Sequence, residues 1–385
     1  MKINYFKILK FLNSKEKSLF DISVEEQKTF LNSLSEPKDD FERSYNQYLC
    51  QMFFVKDISA FAYNFFSFLL IIPTLTLYLL NPKKKNIIKF DAVANWKYLD
   101  NNILPKNIVK QYNSIKYINW DEGRKLSFNN LLFIYKIFLK HPFSYYFLLK
   151  CIFKIAEYNY AIKLYQPKAI LVHAEYSFTS SILTAYCNRY SIKHIDVMHG
   201  EKLFNIRDSF FRYDECYIWD KHYEELFISM RVGKGQFKIH IPSSLSIDKI
   251  SYLNNDYYSD FKYYLANYSE EEIKGIIDSM SFLKDKGYSL KFRPHPRYSN
   301  IKLLLKYVKK ANIEYPDKIS IEQSIINCDY VVGSYSTVLL QGYFSGKIVV
   351  IDDVTYDLIY KKLFERNYIL LNKKHFVLSN LNSNL

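Results

Sequence analysis

The sequence predicts an α/β protein of two parallel-sheet halves preceded by a helical region. Three observations predict it. Short apolar runs at 168–173, 193–198 and 215–219 alternate with helical patterns, the order that βαβ units impose. The same alternation restarts near residue 260 and continues to 351. Between the two series, 238–260 carries Pro242 and an Asn-Asn-Asp turn and keeps neither period, which reads as a linker. A chain of 385 residues, 49% hydrophobic, has material for two or three cores.

Taken in order, residues 1–15 carry lysines and too short an apolar run for a signal peptide. Phe6, Leu9, Phe11 and Leu12 share a face away from Lys2, Lys7 and Lys10, a basic amphipathic helix that suits a solvated cap or a membrane surface. Residues 16–56 read as polar helices, with Ser23 capping one that carries Glu25 and Glu26 in its first turn. Residues 58–80 contain no charged residue and precede Pro82-Lys83-Lys84-Lys85. Their length permits a bilayer span; Pro73, Asn64 and several hydroxyls favour a membrane-dipping segment or a buried or membrane-leaning helical pair. Strands at 86–94 and 115–119 flank a Pro-containing helix. Residues 127–165 are helical and broken at Pro142, with Lys140, Lys150, Lys154 and Lys163 punctuating an apolar surface.

The second half opens with a strand at 262–266 and a helix begun by the Ser269-x-x-Glu272 capping box and ended at Gly287. A strand at 289–292, a helix at 300–310 and a short strand ending at Ile319-Ser320 follow. A helix then begins at Ile321, a strand occupies 329–332, and a helix at 338–345 is closed by Gly346 before a strand at 347–351. The expected domains are 1–85, helical; 86–250, a first α/β domain; and 251–385, a second.

The formal charge of +14 calls for an anionic partner: nucleic acid, a phosphorylated substrate or an acidic membrane surface. The basic residues are dispersed and no nucleic-acid-binding signature is present, which sets nucleic acid aside. The five cysteines are far apart and lack CxxC spacing, which favours reduced thiols and argues against a zinc site.

Two loops carry the chemistry. Arg293-Pro-His-Pro-Arg297 leaves the C-terminal end of a strand, with His295 held between two prolines and two arginines. Proline stiffens the backbone, arginine forks match phosphate, and an imidazole among cations donates well to an anion. Gly333-Ser-Tyr-Ser-Thr337 is a small-residue turn at a helix N-terminus, where free N–H groups and hydroxyls meet an anion. Loops at strand C-termini of one sheet share an edge, so the two converge. Asp352-Asp353 follows a strand but lacks the spacing of a metal-binding acidic pair.

These residues, over about 165–355, make the chain resemble GT-B glycosyltransferases of bacterial surface polysaccharide synthesis. It is most similar to the bacterial sialyltransferase and polysialyltransferase group and to capsule Kdo transferases. The resemblance implies two Rossmann-like domains facing a cleft and a nucleotide-sugar donor, best a CMP-sugar such as CMP-sialic acid or CMP-Kdo. It implies a hydroxyl acceptor on a lipopolysaccharide or capsule glycan. His295-Pro296 and Ser334, with Ser336 or Thr337, would bind the CMP phosphate. Where that group has an acidic pair before glycine, this chain has Met198-His199-Gly200, so His199 stands in the general-base position. A His-Gly after a strand also resembles the CDP-glycerol and CDP-ribitol phosphotransferases of teichoic-acid-like polymers, which leaves the donor open.

The expected roles follow. His199 deprotonates the acceptor, with Glu201 or Glu175 orienting it or standing in as base. His295, Arg293 and Arg297 stabilise the departing phosphate, Ser334, Ser336 and Thr337 complete the cradle, and Tyr268 and Ser269 line the same edge. Lys202 and Arg207 face the acceptor. No metal and no other cofactor is expected. The expected location is cytoplasmic, on the anionic inner face of the cell membrane. Two other readings stand: a nucleotide-sugar epimerase of the same fold, and a non-catalytic membrane-associated scaffold.

Overall fold

A computed structural model describes residues 17–81, 86–95, 103–119 and 123–385. The basic helix expected at 1–15 and the lysine run at 83–85 lie outside them. The chain divides into two compact units, residues 1–240 and 241–385.

The first unit holds a six-stranded parallel sheet of order β2-β1-β3-β4-β5-β6. The strands are β1 (Ala92–Asn95), β2 (Ile115–Ile118), β3 (Ala169–Val172), β4 (Lys193–Val197), β5 (Glu215–Ile218) and β6 (Phe237–Ile239). Every residue of β3 and β5 is buried, as parallel strands covered on both faces require. The strand order reverses between β1 and β3, the kind of place where ligands bind in open α/β sheets. The Tyr145–Tyr165 helix buries most of its length in this unit's core. The segment before β1 starts pairing only at Ala92, because Ile87 and Ile88 stay exposed.

The amino-terminal helices belong to this same unit. Val24–Ser33 opens with the Ser23–Glu26 capping box, and Asp40–Met52 follows. They are polar in composition, yet Gln27, Ser44 and Gln47 are fully buried. Each has a partner: the Ser44 hydroxyl, for example, accepts from the Ile182 N–H at 3.0 Å. Residues 57–79 form one helix, Asp57–Leu79, running through Pro73, and not a pair. It is the described helix long and apolar enough to cross a membrane.

The second unit holds a five-stranded parallel sheet of order β11-β10-β9-β7-β8. Its strands are β7 (Ser259–Tyr264), β8 (Leu290–Arg293), β9 (Cys328–Gly333), β10 (Ile348–Ile351) and β11 (Phe376–Val377). Residues 241–250 pack here and not as linker: Ile247 N–H donates to Ser345 Oγ at 3.1 Å and Gln341 to the Ser244 carbonyl at 2.9 Å. The strand expected before Ser320 is absent. Ile313 makes a single bridge to Phe292, and Ser320 instead caps the Ile321–Ile326 helix. The helix expected at 300–310 shortens to Ile301–Leu304. Short β6 and β11 carry too few residues to show a period. Both units, with helices alternating between parallel strands, are Rossmann-like, the α/β class the sequence predicts and the domain type of GT-B proteins.

Candidate functional site

In the first unit, β3 and β4 end side by side and release His173-Ala174-Glu175 and Met198-His199-Gly200-Glu201-Lys202 at the sheet's carboxyl edge. The His173 and His199 rings meet edge to face, centroids 4.6 Å apart. Glu175 is fully buried beneath them. Its Oε2 lies 3.9 Å from His199 Nδ1 and 3.4 Å from Lys202 Nζ. Burial holds the His199 pKa below its ordinary value, with Glu175 opposing and Lys202 reinforcing that shift. His173 is lowered the same way, by burial and by His199. At neutral pH both rings are unprotonated, the state a general base needs.

Lys202 supplies the positive charge under this edge. Burial disfavours its ammonium, but Asp208, Glu175 and Asp196 outweigh burial and raise its pKa. Asp196 on β4 is pushed well above the carboxylate range by burial and by Glu175, while it accepts the Ala174 N–H at 2.8 Å.

The structure separates the two glutamates. Glu201 accepts from the Tyr223 hydroxyl at 2.8 Å, and burial pushes its carboxyl up to about 8. It is protonated at neutral pH and is poorly suited to be the base; Glu175 is the carboxylate beside His199. Arg207 turns toward the amino-terminal segment. Its guanidinium stacks 4.3 Å over the Phe54 ring and donates to the Lys17 carbonyl. A cavity of about 270 Å³, lined among others by Asn95, Lys150, Lys154, His173 and Tyr176, opens along this edge.

In the second unit, the loops after β7, β8 and β9 are bound to one another. His295 N–H donates to Ser299 Oγ at 2.8 Å, and Ser299 donates to the Ala266 carbonyl at 2.7 Å. Tyr268, in the loop after β7, shares a 3.1 Å hydrogen bond with Ser334 in the loop after β9. The Arg297 N–H donates to His295 Nδ1 at 3.1 Å, so the neutral ring carries its proton on Nε2. Tyr298 stacks on the ring at 4.5 Å. His295 is therefore an oriented N–H donor. Pro296 and Arg297 are exposed beside it, and Thr337 is exposed at the start of the helix after β9.

Two residues of this half do other work. Arg293 is buried, with Nη1 on Glu314 at 2.7 Å and Nη2 on the Ile319 carbonyl at 2.8 Å. Lys262 reaches the same Glu314 at 2.6 Å, completing a buried ionic cluster. With its fork occupied, Arg293 is a structural residue and not a phosphate ligand. Ser269 caps the Glu270–Met280 helix, its hydroxyl accepting from Glu272 N–H and its N–H donating to the Glu272 carboxylate. Ser336 accepts from Val338 N–H as cap of the Thr337–Phe344 helix, leaving its hydroxyl hydrogen free to donate. Gly342 lets this helix sit on β9, since a Cβ there would lie 2.9 Å from Val331 Cγ2.

Sequence reasoning passed over His173, Tyr223, Gln47 and Ser299. His173 had a usable signal, as a histidine ending the strand next to that of His199. Gln47, which donates to the Glu175 and Arg207 carbonyls at 2.8 and 3.1 Å, had none, because it comes from a distant helix. Among the described residues, no three His, Cys, Asp or Glu side chains gather as a metal site.

No protein-family model and no curated protein matches the chain. Solved structures do. The wall teichoic acid polymerase TagF aligns at 12% identity over 85% of this chain and 89% of its own, with a TM-score of 0.42. The UDP-GlcNAc 2-epimerase of Methanocaldococcus jannaschii aligns at 11% identity over 74% and 94%, TM-score 0.39. The glycotransferase of kitacinnamycin aligns at 8% identity over 75% and 78%, TM-score 0.41. At such values none of these likenesses decides chemistry.

Proposed function

We propose that this protein is a transferase that moves a sugar from a nucleotide donor, best a CMP-sugar, to a hydroxyl of a surface glycan. The observation that carries the reading is the bonded loop set of the second unit. Ser299 ties the His295 loop to the loop after β7, and Tyr268 ties that loop to Ser334. The set offers the His295 Nε2–H, the Ser334 and Ser336 hydroxyls and the exposed Arg297 to a phosphate.

The reaction assigns one role to each unit. His199, unprotonated at neutral pH and beside Glu175, accepts the proton of the acceptor hydroxyl. The acceptor oxygen bonds to the anomeric carbon as the bond from that carbon to the phosphate oxygen breaks. The nucleotide leaves with the negative charge, which His295 and the hydroxyls stabilise. Glu175 and Lys202 hold the imidazole's surroundings polar and fixed. The chemistry as written calls for no metal and no further cofactor.

The His199-Gly200 pair favours a second reading, a CDP-polyol phosphotransferase, in which the same base serves, the acceptor oxygen attacks the polyol-bearing phosphorus, and the bond from that phosphorus to CMP breaks so that CMP leaves. A thermal-shift panel of CMP, CDP, UDP and GDP tests both. Stabilisation by CMP or CDP is the expected result; CMP leaves in both reactions, so stronger stabilisation by CDP, which keeps the second phosphate of a CDP-polyol donor, supports polyol transfer, and no gain from that phosphate supports sugar transfer. Stabilisation by UDP alone, as an epimerase of UDP-sugars predicts, overturns the proposal.

A further inference from the structure

The Asp57–Leu79 helix is long and apolar enough to cross a bilayer, about 35 Å at 1.5 Å per residue. Its contacts rule that use out. Asn64 near one end donates to the Phe143 carbonyl at 2.9 Å and accepts from the Tyr146 N–H at 3.1 Å. Tyr63 stacks on Tyr146 at 5.0 Å, and Phe68 packs on Tyr145 at 4.9 Å. Past the middle, Tyr78 packs on Phe153 and its carbonyl accepts the Leu126 N–H at 3.0 Å; Asn81 then donates to the Arg124 carbonyl. The helix is thus clamped along its length to the Tyr145–Tyr165 helix, itself a core element of the first unit. A helix held this way lies on the unit's surface and does not leave it to span.

Its outer face remains apolar. Ile58 is 86% exposed, Phe61 74% and Ile72 74%, with Phe65, Phe66 and Leu69 about half exposed. The neighbouring Phe128–Lys140 helix continues the surface with Phe128 at 79% and Leu132 at 68%. Between the two runs an apolar groove of about 550 Å³, lined by Phe68, Ile72, Leu75, Leu132, Tyr135 and Phe138. Exposed apolar patches this continuous mark an interaction site.

Charge identifies the occupant. No charged residue occurs from 58 to 80, and the only charged residues on the Phe128–Lys140 helix are Lys136 and Lys140. Lys140 is neutralised by Asp39 and Glu42, whereas Lys136 is exposed between Leu132 and Leu139. Lys56 is exposed at the start of the helix, and in sequence Lys83, Lys84 and Lys85 follow it. Asp57 is the one acid of the segment. A second copy docked symmetrically would set these cations against themselves, and a neutral apolar partner would not use them. We infer that the outer faces of the Asp57–Leu79 and Phe128–Lys140 helices form an in-plane docking surface for an anionic lipid bilayer. The phenylalanines and leucines enter the acyl boundary while the lysines meet the headgroup phosphates, with the helices parallel to the membrane.

Vesicle co-sedimentation tests this with the full chain. Vesicles of phosphatidylcholine carrying roughly one-third phosphatidylglycerol should bind the protein, pure phosphatidylcholine at least about tenfold less, and alkaline carbonate should release it. The triple variant Phe65→Glu, Ile72→Glu, Leu132→Glu should lose binding at least about tenfold with melting temperature and nucleotide binding unchanged. Lys136→Glu should weaken binding to the anionic vesicles alone. Unchanged binding of the triple variant overturns the inference, as does a wild-type protein that stays in the supernatant. Resistance to carbonate would indicate a span, and a soluble dimer that the triple variant dissociates would indicate a second copy; either also overturns it. The nucleotide panel is independent of every one of these outcomes.

Discussion

The residue scale divides the charges of the two loop sets into those that meet solvent and those that do not. Replacing His199 with Ala should cut turnover about 10²–10⁴-fold while leaving nucleotide affinity unchanged, read from kcat and from direct titration. Because burial lowers the His199 pKa, the acid limb of the rate profile should fall below the ordinary value of 6.5. Glu201 behaves in the opposite sense. Between its ordinary value of 4.5 and its folded value of about 8, the native state keeps a proton that the unfolded chain releases. Native stability contributed there falls as pH rises through that window. Glu201→Gln should therefore raise stability little at pH 5 and on the order of a few kcal/mol above pH 8, measured by denaturant titration at both ends. The two arginines of the His295 loop should also part company. Arg293→Ala should lower stability by about 3–5 kcal/mol by leaving Glu314 short of a partner. Arg297→Ala should leave the melting temperature alone and weaken nucleotide binding. From the sequence these arginines look equivalent, because a side chain's charge is legible there and its surroundings are not.

At the scale of elements, signals that are local were legible. The cap at Ser23, the capping box at Ser269, the stop at Gly287 with its φ of 82° and the order of β3, β4, β5, β7, β8, β9 and β10 are written in short-range chemistry. Ser269→Ala should cost about 1 kcal/mol of stability without changing nucleotide affinity, since that hydroxyl is committed to its helix. Gly342→Ala should cost about 1–3 kcal/mol by pressing the Thr337–Phe344 helix off β9, which denaturation would show together with weaker nucleotide binding through Ser334 and Ser336. What was not legible depended on distant partners. The polar helices at 24–52 look solvated, yet Gln27, Ser44 and Gln47 are buried against backbone groups far along the chain. The strand expected before Ser320 failed because its apolar residues pack singly and not as a ladder.

At the scale of the molecule, a net charge of +14 favours anionic partners without saying which unit would serve which anion. The proposal divides the tasks: the unprotonated His173–His199 pair near buried Lys202 in the first unit for proton removal, the hydrogen-bonded loops after β7, β8 and β9 in the second for the phosphate, and the apolar face of the first unit's outer helices for the membrane. The central claim is that nucleotide recognition belongs to the second unit and proton removal to the first. Isothermal titration of CMP, with CDP as the parallel ligand, into wild-type, His295→Ala and His199→Ala protein tests it most directly. Affinity should be at least about tenfold weaker for His295→Ala and equal to wild type for His199→Ala. Equal affinity for His295→Ala, or equal loss in both variants, would contradict it.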